Sequence, residues 1–238
     1  MDRVDALAFG AHPDDIEIGC GGTLIKLADA GRRVALIDLV RGEMGTRGTV
    51  VTRSREAERS SQILGIVARE NLELEDGYIR VSREGRQRVA QAIRRWRPDT
   101  VFLPYWEDRH PDHAYASHLI YEGAFLAGLP RFDTGQEAHR PTRLIYYMGW
   151  YEFDPTFIVD ISDQFERKMA AIYAYDTQFH PDSSPDPQTP LTDPSTDRMI
   201  RSRMAYYGSR IKVHYGEAFL IRGHLAVADP LKLRFESF

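Results

Sequence analysis

Two short stretches carry most of the chemistry that this chain can offer. One is His12-Pro13-Asp14-Asp15; the other is Asp108-Arg109-His110-Pro111-Asp112-His113. His12 and Asp15 are good ligands for Zn²⁺, and a three-residue spacing on a tight loop lets both reach one ion. Pro13 stiffens that loop by fixing its own φ. A hydrolytic zinc site needs about three protein ligands and one open position for water. His110 or His113 can supply the third ligand. The ion would bring the pKa of its water near neutrality, and a spare carboxylate must then take the proton. Asp14 stands beside a ligand and is otherwise unassigned. The histidine left off the metal suits the developing oxyanion. Asp112 is placed to orient that imidazole, hold its proton and raise its pKa through the opposite charge. The plain alternative makes Asp14 or Asp15 a helix cap and His12 an ordinary loop residue. It must hold for two separate His-Pro-Asp clusters at once.

These residues need a scaffold that brings them together. The apolar run Val4 to Phe9 reads as a strand buried on both faces, and the first cluster follows it directly. Arg33 to Val40 is a second such run, trailed by the glycine-rich, charged loop Arg41 to Gly48. Thr52 to Leu64 reads as a helix with Thr52 as N-cap and Gly65 beyond its end. Asn71 to Glu75 is a short strand, and Glu84 to Trp96 an amphipathic helix stopped by Pro98. Thr100 to Pro104 is the strand that precedes the second cluster, and a helix follows over about Ala114 to Ala127. The alternation gives an α/β, Rossmann-like, doubly wound and mostly parallel sheet with helices on both faces. In such sheets ligands bind at the carboxyl ends of strands, where both clusters fall.

Residues 1–130 form this core in a single domain spanning 1–238. Residues 131–238 add a C-terminal extension: strands at Leu144 to Met148, Phe157 to Ile161 and Gly216 to Ile221, and helices at Gln164 to Tyr175 and Thr196 to Val213. Phe179 to Asp197 carries five prolines and reads as a long lid-like loop. Gly19, Gly21 and Gly22 invite a dinucleotide-loop reading, but a polar loop separates them from the first strand. Close packing of a helix, Thr23 to Ala30, on the sheet is the simpler use for them.

Of 238 residues, 42% are hydrophobic and 28% charged, with a net charge of −4 and both signs interspersed. That pattern excludes a nucleic-acid stripe. No apolar run reaches the length of a membrane span, and the N-terminus lacks a signal-peptide pattern. The lone Cys20 forbids an intrachain disulfide and fits a reducing cytoplasm.

The His-Pro-Asp-Asp and His-Pro-Asp-His pair resembles the zinc-dependent N-deacetylases of the LmbE-like superfamily, and most closely its bacillithiol-biosynthesis branch, the N-acetylglucosaminyl-malate deacetylases. The resemblance extends through Ile16-Glu17-Ile18-Gly19, Val159-Asp160-Ile161-Ser162, Tyr175-Asp176-Thr177-Gln178-Phe179, Thr189-Pro190-Leu191-Thr192 and Tyr215-Gly216-Glu217-Ala218-Phe219. It implies His12, Asp15 and His113 as zinc ligands, Asp14 as general base, His110 as oxyanion partner or general acid, and Arg53 as a substrate-contacting arginine. It also implies a cytoplasmic homo-oligomer, a hexamer, acting on a small N-acetylglucosamine conjugate. A tyrosine that some relatives carry near the active-site mouth is replaced here by Asp193-Pro194-Ser195.

Arg41, Arg47, Arg53 and Arg109 lie on or beside the loops at this edge. Their guanidinium forks suit a dicarboxylate such as malate, or pair with Glu43, Glu56 or Asp108 at a solvated surface. Fe²⁺ fits the same N/O ligands. Other N-acetylglucosamine conjugates (mycothiol-type or chitooligosaccharide), a nucleotide-binding module and a metal-dependent phosphoesterase are the competing readings.

Overall fold

A computed structural model describes residues 3–233 and 235. Five parallel strands build its centre: β1 (Ala6–Gly10), β2 (Val34–Val40), β3 (Ala68–Leu74), β4 (Thr100–Pro104) and β5 (Arg143–Tyr147). Two more, β6 (Phe157–Asp160) and β7 (Gly216–Leu220), complete a seven-stranded sheet of order β3-β2-β1-β4-β5-β7-β6. β7 runs antiparallel to both of its neighbours. The expected α/β, mostly parallel architecture is the one found, with its C-terminal extension joined edge-on to the same sheet.

β1 shows why these strands are central. Leu7 and Phe9 enter the core on one face, with Val89 and Ile93 of α3 (Arg83–Trp96) and Leu119 and Ile120 of α4 (Pro111–Ala127). Ala6 and Ala8 face the other core, with Ile16 and Leu24 of α1 (Asp15–Asp29) and Ala171 of α5 (Phe165–Tyr173). Both faces are dry, so the strand is apolar throughout. The chain winds outward one way from β1 to β2 and β3, then returns to β4 on the other side. Strand order therefore reverses between β1 and β4, and crevices open at such points.

Several boundaries differ from the sequence reading. α1 begins at Asp15, eight residues before the expected Thr23, and carries the glycines inside it. It is kinked at Cys20 (φ −145°, ψ 15°), which exposes backbone N–H groups in mid-helix. The Glu217 carboxylate takes those of Gly22 (2.8 Å) and Thr23 (2.7 Å) and is itself paired with buried Lys168 at 2.5 Å. An anionic side chain thus already fills the place a dinucleotide phosphate would need, and the nucleotide reading falls. A Cβ on Gly19 would lie 2.2 Å from the Tyr147 ring, and one on Gly22 would lie 2.8 Å from Ile161. Close packing is what these glycines permit.

The helix α2 (Val50–Leu64) is capped by Thr49, three residues earlier than the expected Thr52, which instead closes the capping box from the N3 position. α4 begins at Pro111 with His110 as its N-cap, so His113 stands in its first turn. Beyond α5 come a single turn, α6 (Asp176–Phe179), and the helix α7 (Pro194–Arg210), capped by Asp193. Between them the expected lid loop is tied down. Arg47, 1% exposed, donates to the carbonyls of Thr177, His180, Pro181, Asp186 and Pro187. Arg47 is therefore a structural brace and is not free for substrate. No helix among the described residues is long and apolar enough to cross a membrane.

Candidate metal centre and active site

The loop after β1 is wound tightly by its own polar groups. The His12 N–H donates to Asp15 Oδ2 at 2.8 Å, and Val40 ties β2 to the Ala11 carbonyl at 3.1 Å. Asp14 sits at φ 113°, a region that L residues rarely adopt. Such a conformation costs of order 1–3 kcal/mol and persists only where neighbours enforce it. Here Arg53, from α2, supplies that constraint: Nη2 donates to the Pro13 carbonyl (2.7 Å) and to Asp14 Oδ2 (3.3 Å). Arg53 and Asp14 are 4% and 5% exposed. A solvated, first-turn Arg53 is excluded.

His12, Asp15 and His113 offer one ligand atom each, all within 4.8 Å of one another. His12 Nδ1 lies 3.4 Å from Asp15 Oδ2, and His113 Nε2 lies 3.2 Å from Asp15 Oδ1. Two ligands each about 2.1 Å from a tetrahedral ion stand roughly 3.4 Å apart, so the spacing fits. The outer ring nitrogens are held too. Asp76 Oδ1 lies 3.1 Å from His12 Nε2, and Asp108 Oδ1 lies 3.2 Å from His113 Nδ1. Carboxylates in this position orient metal-binding imidazoles and raise their basicity. Charge tells the same story. Burial works to lower the pKa of both rings, yet hydrogen bonds to Asp112, Asp15 and Asp76 carry His12 well above its ordinary value. The Asp15 charge, with bonds to Asp108 and Asp15, carries His113 up to about 9. The ring of carboxylates demands positive charge at this point, and a dication among these N/O donors fits that demand.

Burial pushes the Asp14 carboxyl up to about 7, against the pull of Arg53. Such a carboxyl is poised to exchange a proton near neutrality. His110 accepts the Asp112 N–H on its Nδ1 at 3.2 Å, which leaves the Nε2–H as its donor. Its ring stacks on His113 with centroids 4.7 Å apart. Here the sequence expectation needs correction. Burial and the two neighbouring imidazoles lower the His110 pKa, outweighing Asp112. Nor does the Asp112 carboxylate orient His110. Its Oδ2 accepts from Gly77 N–H (2.7 Å) and lies 3.7 Å from His12 Nε2, while Oδ1 is buried without a partner. Asp112 supports His12.

His12, Asp14, Asp15, Arg53, His110 and His113 open onto one cleft of about 310 Å³. Arg109 lines it as well, its guanidinium 3.6 Å from the Trp150 ring centre. Arg41 does not; it borders a separate cavity with Asp38 and Arg69. Asp76 was missed in the sequence, and Asp108 was read only as a partner for nearby arginines and not for His113. Asp76 precedes Gly77 just beyond β3, at the same sheet edge as both clusters, and that placement is the signal that could have found it.

A family model described as PIG-L: GlcNAc-PI de-N-acetylase matches residues 7–124. The diacetylchitobiose deacetylase of Thermococcus kodakarensis is 34% identical over 228 residues, covering 89% of this chain and 80% of that one. The conserved protein TT1542 of Thermus thermophilus shares the fold at a TM-score of 0.86 with 38% identity, over 94% of this chain and 98% of that one. The N,N'-diacetylchitobiose deacetylase of Pyrococcus horikoshii, solved with its inhibitor MPG, gives a TM-score of 0.80 and 30% identity over 91% and 82%. With this similarity along nearly the whole chain, and the two His-Pro-Asp clusters gathered at one edge of the sheet, the chain belongs to the PIG-L (LmbE-like) deacetylase family.

Proposed function

We propose that this protein hydrolyses the N-acetyl group of an N-acetylglucosamine-type saccharide, using a dication, Zn²⁺ in the first instance, held by His12, Asp15 and His113. The observation that carries the reading is the grouping of those three ligand atoms beside a separate buried carboxylate, Asp14, that Arg53 holds off the ligand set. When bound, the ion would polarise the amide carbonyl and acidify water. Asp14 takes a proton from the attacking water. The His110 Nε2–H donates to the carbonyl oxygen as negative charge grows there. The C–N bond then breaks, Asp14 returns its proton to the departing amine, and acetate and a free amino sugar result. The polar cleft, with Asp76, Arg109 and Gln178 among its walls and Trp150 as an aromatic face, suits a sugar.

Two of the relatives named above, those of Thermococcus kodakarensis and Pyrococcus horikoshii, are diacetylchitobiose deacetylases, which favours a short N-acetylglucosamine saccharide. The malate conjugate of bacillithiol synthesis is the second reading, supported by Arg53 and Arg109 in the cleft. Its grounds are narrower than four arginines suggested, because Arg47 braces a loop and Arg41 faces elsewhere. Acetate release from N,N'-diacetylchitobiose and from N-acetylglucosaminyl malate, measured side by side with phosphate release from a phosphorylated sugar, separates the readings. Faster release from diacetylchitobiose is expected. Preference for the malate conjugate would select the second reading, and phosphate release without acetate release would overturn both.

A further inference from the structure

A second, apolar pocket of about 20 Å³ lies against the metal centre. It shares Asp15, Ile18, His113 and Trp150 with the polar cleft, so one wall of side chains borders both spaces where they meet. Its far side is built by Met148 at the end of β5 and by Met199 and Ile200 of α7. An amide whose carbonyl meets the ligand side of that wall has two unlike halves to place. The amino sugar is polar and needs the cleft. The acyl group is apolar and needs a dry surface. About 10–15 Å³ suffices for one water-sized group, so this pocket takes a methyl and has no room for a longer chain.

We propose that the pocket receives the acyl group and that Met199 and Ile200 restrict the reaction to acetyl. The inference rests on the N-deacetylase reading above. Ile200 is 2% exposed and fixed in the core beside Phe165 and Met204. Met199 is only partly buried, and its side chain is the adaptable member of the wall. The loop bearing Met148 is held from the same helix: Arg203 donates to the carbonyls of Gly149 (2.5 Å) and Trp150 (3.3 Å). Helix α7 therefore sets both the wall and the loop opposite it.

The test compares kcat/KM for chitobiose carrying N-acetyl, N-propionyl or N-butyryl groups with the zinc-loaded protein. In the wild type each added methylene should cost about 10–200-fold. In Met199→Ala the ratio of butyryl to acetyl kcat/KM should rise at least about tenfold, as removal of the excluding group requires. Ile200→Val, a smaller change, should shift the propionyl ratio in the same direction and serves if the first variant does not fold. Calorimetric binding of acetate and butyrate supplies a readout independent of turnover: butyrate should gain on acetate in Met199→Ala. Unchanged selectivity and unchanged carboxylate binding in both folded, metal-loaded variants would overturn the inference. A wild type that releases no acyl group from any of the three amides would instead overturn the deacetylase reading, while the carboxylate binding still reports on the pocket.

Discussion

Arg53 Nη2 lies 3.3 Å from Asp14 Oδ2 and 2.7 Å from the Pro13 carbonyl, so one guanidinium holds both Asp14, the proposed base, and the strained turn that presents it. Asp14 thereby stays apart from the His12, Asp15 and His113 ligand atoms while lining the same cleft. Lysine keeps the charge but lacks the fork needed to make both bonds. Arg53→Lys should retain metal and lose about 10²-fold in kcat, the order expected for an ångström-scale misplacement of a reacting group. Metal analysis beside acetate assays checks this. Joint loss of metal and turnover would make Arg53 a prop of the metal loop.

His110 should behave as a hydrogen-bond donor to the developing oxyanion. Its Nδ1 is engaged by the Asp112 N–H, and its depressed pKa keeps the ring neutral. His110→Ala should keep its zinc and lose about 10²–10³-fold in kcat, as removal of an oxyanion donor does. Near-normal kcat in a folded, metal-loaded variant would reduce His110 to the N-cap of α4.

The packing of α1 makes a stability prediction. A Cβ at Gly19 would meet Tyr147 at 2.2 Å, and that ring is anchored by its hydroxyl bond to the Phe9 carbonyl (2.8 Å). Gly19→Ala should destabilise by about 1–3 kcal/mol, the range for overpacking a core. At Gly21 the nearest atom to an added Cβ is 3.6 Å away, so Gly21→Ala should be neutral or gain up to about 1 kcal/mol from helix propensity. Urea unfolding of the two variants should separate them; equal midpoints would contradict the packing account.

Much of this was legible in the sequence, for identifiable reasons. His-Pro-Asp twice after an apolar run marks the carboxyl ends of β1 and β4, and local spacing suffices to see it. Asp76 and Asp108 were not legible, because a carboxylate beside glycine or in a polar loop has the look of turn chemistry. Only the parallel sheet brings Asp76 within 3.1 Å of His12, 64 residues away. The start of α1 was misplaced for a similar reason. The glycines at 19, 21 and 22 read as loop until Glu217, 195 residues beyond Gly22, caps the kink that lets a helix pass through them. Arg47 stood in a charged loop and so resembled a ligand group. The carbonyls that claim it come from residues 177–187.

Tyr175 gives a pH prediction away from the metal. It is fully buried, its hydroxyl donating to Glu17 at 3.0 Å. Burial pushes its pKa well above the ordinary value; Arg69 pulls back and Glu17 adds to the rise. In the unfolded chain a tyrosine ionises near about pH 10. Above that pH the unfolded state releases a proton that the folded state keeps, so stability is complete below it and falls as pH rises toward the folded value. The slope is about 1.4 kcal/mol per pH unit for the one proton. Tyr175→Phe should flatten the decline between about pH 10 and about pH 11 by about 1 kcal/mol, since the unfolded tyrosine is only half ionised at the start of that interval. Unfolding free energies at both pH values check it, and parallel declines in variant and wild type would refute it.

The central claim is that a dication on His12, Asp15 and His113 and a proton acceptor at Asp14 act together to hydrolyse an amide. Zinc titration into chelator-stripped protein, with acetate release followed from N,N'-diacetylchitobiose, tests it most directly. Wild-type turnover should rise from near zero and saturate at about one zinc per chain. Asp14→Ala should bind the same equivalent with turnover lower by about 10²–10⁴-fold, and His113→Ala should lose metal and turnover together. Full acetate release by the stripped wild type, or wild-type turnover in Asp14→Ala, would contradict the account.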